Sequence, residues 1–310
     1  MQILNVLAPV FLMIAVGAWL QRSRFASPDF FKEANRLTYW LGLPALLFSQ
    51  LAGSYHEMGG ARLMLESTLL ATAALGLIAY ATAWALRIPG PSTGTFVQAS
   101  FRGNLAFIGL PVIYSLPDVP LAHGGSMRTA TVVIIAPMMV IYNVAGVVVL
   151  MLSQHTLGWG MVKPVAKGLA TNPPLIATVV GLIFVAEGWT LPLAVDKTFS
   201  ALGEMALPLG LLGVGASLVT VKLSGNWKRS LGSTALKIFV APALVWLIGV
   251  RMGLSGPELK IVMILMAAPT AIVSYTIAME MKGDEALASG AIVLSVLASL
   301  PALAVIVGAF

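Results

Sequence analysis

Apolar residues come in ten long runs along this chain, and polar residues are mostly confined to the short gaps between them. A helix needs about 20 mainly apolar residues to cross the hydrocarbon core of a bilayer. Runs of that order fall at about 3–21, 34–53, 63–87, 93–116, 127–152, 170–189, 195–220, 231–252, 258–281 and 286–309. Pro89-Gly90-Pro91, Pro117 to Pro120 and Gly124-Gly125 mark turns between runs. The first run, Ile3 to Leu20, has no basic leader and no clear small-residue cleavage site, so a retained span is expected rather than a signal peptide. The stretch Ser153 to Lys167, with Gly158, Gly160 and Pro164, is the expected hinge between two halves.

The pattern occurs twice. Pro9, Gly17, Leu43 and Pro44 recur at a constant offset of 164 as Pro173, Gly181, Leu207 and Pro208. Val16/Val180, Leu47/Leu211 and Ala52/Ala216 agree at the same offset. The expected organisation is a first five-helix repeat over 1–152, a linker over 153–169 and a second repeat over 170–310. Five is odd, so the second repeat enters the membrane from the opposite face and the repeats are inverted.

Composition supports lipid as the solvent. Hydrophobic residues make up 58% of 310 positions and charged residues 10%, with a mean hydropathy of +0.93. Soluble domains carry about 25% charge. The formal charge of +6 comes from scattered basic residues that form no stripe, which excludes a nucleic-acid partner. With no cysteine, disulfides, thiol catalysis and thiolate metal sites are excluded.

Orientation follows from Lys and Arg in alternate loops. One side collects Arg22, Arg24, Lys32, Arg36, Arg87, Lys163, Lys167, Lys222, Lys228, Arg229, Lys237 and Lys282; the other has Arg62, Arg128, Lys197, Arg251 and Lys260. That is 12 against 5, with Arg102 left inside a span. Both termini are therefore expected outside the cytoplasm of a multi-pass protein in the cytoplasmic (inner) membrane.

Motifs for catalysis or nucleotide binding are missing. There is no Walker loop, no serine in a nucleophile elbow, and no ligand spacing around His56, His123 or His155. Gly210, Gly213 and Gly215 lie within an apolar run and are expected to allow close helix packing. An enzyme, a metal site and a cofactor are not expected.

Chemistry concentrates in two interrupted spans. The fourth run contains Arg102-Gly103-Asn104-Leu105-Ala106-Phe107-Ile108-Gly109-Leu110-Pro111, and the ninth contains Ala267-Ala268-Pro269-Thr270-Ala271-Ile272-Val273-Ser274-Tyr275. Paired interruptions at matching places in two halves point to a ligand site near the bilayer midplane. Proline removes a donor and clashes with the preceding turn, and lipid offers no replacement partner. A half-helix that starts at such a break presents free N–H groups and a partial positive charge, which attract an anion.

The expected binding residues are Arg102, Gly103, Asn104, Gly109, Pro111, Pro269, Thr270, Ser274 and Tyr275. Arg102 either pairs with a substrate carboxylate or is held by a structural partner such as Glu204. A charge at mid-bilayer costs about 2.5–3.5 kcal/mol, so some compensation is required. Glu204 and Asn143 are the candidates for a proton-carrying or counter-ion group. Trp19, Trp40, Trp84, Trp189 and Trp246 read as membrane-belt anchors.

The run from Asn104 to Pro111 resembles the asparagine-to-glycine-proline motif of the auxin efflux carrier family. Ala268 to Glu280 is similar to that family's second crossover, and Leu207-Pro208-Leu209 and Ser289 to Pro301 also fit. The resemblance covers nearly the whole chain. It implies an all-α integral membrane protein of ten transmembrane helices, built as two inverted five-helix repeats, with broken helices four and nine crossing at their prolines. It carries the crossover asparagine onto Asn104 and the crossover prolines onto Pro111 and Pro269.

Plant members have a long central loop, whereas about 18 residues link the halves here, as in short prokaryotic members that handle malonate, malate or auxin-like acids. The expectation is a secondary carrier exporting a small organic carboxylate by alternating access. A Na⁺- or H⁺-coupled organic-anion importer on the related bile-acid-carrier architecture is the alternative. Expected partners are the anion and membrane lipid, and a homodimer stays open.

Overall fold

The computed structural model describes residues 2–52, 61–153, 170–171, 173–220 and 227–309. Among these the regular structure is helical, and the extended pairings are two isolated bridges, Gly103 with Thr270 and Pro120 with Ser126. Apart from Ser153, the hinge expected at 153–167 lies outside the described residues, as do His56 and His155.

The first half opens with α1 (Gln2–Arg22), α2 (Pro28–Leu37), α3 (Leu43–Ala52) and α4 (Ala61–Ala85). It continues with α5 (Gly90–Phe101), α6 (Leu110–Tyr114) and α7 (Met127–Ser153). The second half holds α8 (Pro173–Glu187), α9 (Leu193–Glu204), α10 (Ala206–Thr220), α11 (Trp227–Ala235) and α12 (Ala241–Arg251). It ends with α13 (Gly256–Ala267), α14 (Val273–Glu280) and α15 (Glu285–Ala309).

Among the described residues, six helical segments are long and apolar enough to cross a membrane: Asn5–Arg22, Ala61–Ala85, Met127–Ser153, Leu193–Thr220, Trp227–Arg251 and Glu285–Ala309. The other expected spans are shorter or divided. The run at 34–53 spans the end of α2, a π turn and α3; the run at 93–116 comprises most of α5, an unwound link, a π turn and α6. The run at 258–281 is cut between α13 and α14, and that at 170–189 contains the 15-residue α8. Large apolar side chains such as Leu77, Trp84, Leu297 and Val305 project outward, which suits a lipid surround.

Three π turns have a common cause. Thr38–Gly42, Leu105–Gly109 and Leu236–Val240 each stand just before a helix whose second residue is proline: Pro44, Pro111 and Pro242. Proline cannot donate to the preceding turn and its ring presses on that turn's carbonyl. Widening by one residue relieves both without ending the helix. Pro208 follows a bend at Met205 in the corresponding place of the second half. The chain therefore does not break at Pro111, contrary to expectation. It unwinds earlier, at Arg102-Gly103-Asn104, where glycine and a capping asparagine stop α5.

The helices assemble into two groups. In one, α1 packs on α10, and α3 packs on α8 and α9. In the other, α5 packs on α7 and α4, α11 on α15, and α12 on α13 and α4. Glycine permits the closest approach in the first group. A Cβ added at Gly17 would lie 2.7 Å from the Leu212 Cα, and one at Gly215 would lie 2.8 Å from the Ala18 backbone nitrogen. With no hydrophobic force between helices in lipid, such backbone contact is what holds α1 against α10.

Candidate substrate site

The unwound links cross and pair. The Asn104 N–H donates to the Pro269 carbonyl at 2.7 Å, and the Ala271 N–H donates to the Arg102 carbonyl at 3.0 Å. Gly103 and Thr270 face each other between these bonds. Four backbone groups that would be orphaned in lipid thus satisfy one another in two pairs. The Thr270 N–H donates to the Ser295 Oγ at 2.9 Å, and the Thr270 hydroxyl donates to the Ala99 carbonyl at 2.9 Å. The Gln98 amide donates to the Ser274 carbonyl at 2.9 Å, tying α5 to α14.

The amides nearest the crossing are therefore occupied, not free. What remains is one turn further on. Asn104 caps the turn that follows it, its Oδ1 accepting from the Phe107 N–H at 3.2 Å. The N–H groups of Leu105 and Ala106 precede any acceptor in their own helix. Both residues face a cavity of about 430 Å³, which Ala271, Ile272 and Val273 close from the other link.

This cavity lies between the two helix groups. Asn35, Tyr39, Leu43, Gly210 and Val214 form one wall. Arg102, Gly103, Asn104, Met139, Tyr142 and Asn143 form the opposite one. Mainly apolar walls with a few convergent polar groups are typical of small-molecule sites.

Arg102 dominates the electrostatics. Its residue is 4% exposed, and its guanidinium donates to the Asn143 side chain and, at 3.4 Å, to the Tyr142 carbonyl. Both partners are neutral, and no carboxylate pairs with it among the described residues. Gly146 makes the necessary room: a Cβ there would lie 3.0 Å from the Arg102 Nη1 and 2.7 Å from the Gln98 Oε1.

The expected site residues separate accordingly. Arg102, Gly103, Asn104 and Asn143 line the cavity. Gly109, Pro111 and Pro269 are buried and lie outside its lining. Thr270 is turned into α5 and α15, and the buried Ser274 hydroxyl has no partner. The Tyr275 hydroxyl donates outward to Glu285 at 3.2 Å. Glu204 is exposed at the end of α9 and does not reach Arg102.

Several residues of consequence were missed. Asn35, Tyr39 and Leu43 repeat every four positions, a spacing that places them on one helix face and that could have flagged them. Lys237, counted above as a loop charge, is fully buried and donates to the Met266 carbonyl at 2.5 Å. Removing it leaves the charge bias at 11 against 5, from the same 12 less one. His123 meets Glu258, its Nδ1 lying 2.9 and 3.0 Å from the two carboxylate oxygens.

A helical bundle with several membrane-length apolar helices and a mainly apolar pocket at crossed, unwound segments accords with membrane transport. The chain belongs to the membrane transport protein family, whose match covers residues 2–307. An uncharacterized transporter of Methanocaldococcus jannaschii is 20% identical over 284 residues, 88% of each chain. A probable auxin efflux carrier component of rice, Oryza sativa subsp. japonica, is 28% identical over 155 residues, 47% of this chain and 42% of its own. A second rice auxin efflux carrier component is 27% identical over 141 residues, 44% of this chain and 23% of its own.

Proposed function

We propose that this chain is a secondary carrier that exports a small organic carboxylate, an auxin-like acid or a dicarboxylate such as malonate or malate, across the cytoplasmic membrane. The supporting observation is Arg102: a buried guanidinium on the cavity wall, held by neutral groups alone. A buried charge without a counter-charge is costly, and an arriving carboxylate removes that cost with two parallel hydrogen bonds. Asn104 and the first-turn amides of Leu105 and Ala106 offer further donors on the same wall.

Ten spans in two inverted repeats accord with this reading. The contacts are exchanged between halves: α1 leans on α10 of the second half, and α3 leans on α8. The Leu43-Pro44 and Leu207-Pro208 pairs each follow an interruption of the regular α-helix, a π turn at Thr38–Gly42 and a one-residue turn at Met205. The group that carries Arg102 then moves against the group that carries Asn35 and Tyr39, exposing the pocket to each face in turn. Export needs no coupled ion, because one negative charge leaving a cell at about 100 mV gains about 2.3 kcal/mol.

The test is a thermal-shift titration of purified protein with mono- and dicarboxylates, including indole acetate and malonate. At least one acid raises the wild-type melting midpoint and leaves Arg102→Ala unmoved. A screen in which no acid shifts the wild type, or in which Arg102→Ala responds equally, counts against the anion site. Voltage-driven uptake into proteoliposomes without Na⁺ or a pH gradient separates a uniporter from the coupled importer.

A further inference from the structure

Lys237 occupies an unusual place. It sits in the π turn between α11 and α12, is completely buried, and lies outside the cavity lining. Complete burial means that its stem does not snorkel to an interface. Its Nζ reaches Met266, near the C-terminal end of α13. The last carbonyls of a helix lack intrahelical donors and carry partial negative charge.

The same Nζ lies just behind the crossing: a Cβ at Gly103 would be 3.1 Å from it. Arg102 lines the cavity from that link, and Lys237 lies close against the neighbouring Gly103. No carboxylate pairs with Lys237 among the described residues. The carbonyl end of a broken helix is where carriers of this general build coordinate a dissolved Na⁺ or H⁺.

We propose that Lys237 is a tethered counter-cation: its ammonium fills the seat of a coupling cation at the carbonyl end of α13 and makes the protein independent of Na⁺. The role is positional, since Lys237 does not touch the cavity. The link to coupling rests on the carrier reading, whereas the occupied seat is measurable with no organic anion present.

The experiment compares melting midpoints of the purified full-length protein in NaCl, KCl and choline chloride at equal ionic strength. Wild type melts at one temperature in all three. Lys237→Ala melts lower, and propylammonium chloride, which refills the vacated stem and ammonium, restores it where choline does not. Lys237→Met keeps the stem but strands the Met266 carbonyl, and melts lower by roughly 3 °C or more.

A Na⁺-specific rise in wild type overturns the proposal. So does Lys237→Met melting at or above wild type, as a merely space-filling lysine would allow, or identical responses of Lys237→Ala to propylammonium and choline. If Lys237→Ala does not fold, the wild-type salt series and Lys237→Met decide. Failure of every acid in the anion screen leaves these outcomes standing, so the two proposals fall separately.

Discussion

Residues 102–104 and 268–271 unwind at the same crossing and hydrogen-bond to each other, yet their side chains are directed differently. The first link aims Arg102 and Asn104 at the cavity and anchors them on α7 and on its own next turn. The second contributes mainly backbone and apolar surface to the cavity, while its one hydroxyl side chain, Thr270, is bonded to α5. A repeat in sequence does not impose a repeat in role. One link turns polar side chains to the cavity, and the other braces it.

Four substitutions sharpen or break that contrast. Arg102→Ala is expected to have the largest effect, a loss of anion affinity of about a hundredfold or more, because it removes a charge-assisted bidentate contact. The melting midpoint without ligand should stay within a few degrees, and wild-type affinity by calorimetry would assign Arg102 to structure. Asn104→Ala removes both a cap and a pocket amide. About tenfold weaker binding and a loss of about 1 kcal/mol of stability are expected.

Substitutions around the second link invert the pattern. Ser295→Ala strands the Thr270 N–H, at a cost of about 1–3 kcal/mol in denaturation, while anion affinity stays within twofold. A large change in affinity instead would show that the second link also recognises substrate. The smallest effect belongs to Tyr275→Phe, which loses an outward-facing bond to Glu285. Its stability should change by less than about 0.5 kcal/mol, with binding unaltered in the same titration.

Much of this site can be read from residue order. The Arg102-Gly103-Asn104 interruption needs no coordinates to be noticed, since a charge, a glycine and a capping residue together cannot continue a buried helix. Proline was the misleading signal. At Pro111 the helix absorbs the missing donor by widening into a π turn, so the visible breaker and the actual break fall at different residues.

Lys237 was obscured by its neighbours. Lys228 and Arg229 open the same helix and read as one interfacial basic cluster, and only the packing of α11 against α15 and α5 carries residue 237 into the core. Thr270, Ser274 and Tyr275 looked equivalent because hydroxyls are interchangeable in a string of letters. Which face each one takes depends on where α14 resumes, and that is set by contacts far away in the chain.

The hydrogen atom that stands for a side chain at Gly146 has a consequence beyond packing. It keeps a recess open along α7 in which the guanidinium of Arg102 lies beside Gln98. A methyl group there would contact both and drive the arginine toward the lumen, narrowing the chamber and advancing its positive charge. On the carboxylate-carrier reading proposed above, selectivity among acids of different length would be adjustable through an apolar position that makes no bond of its own, a change that spares every polar group of the pocket.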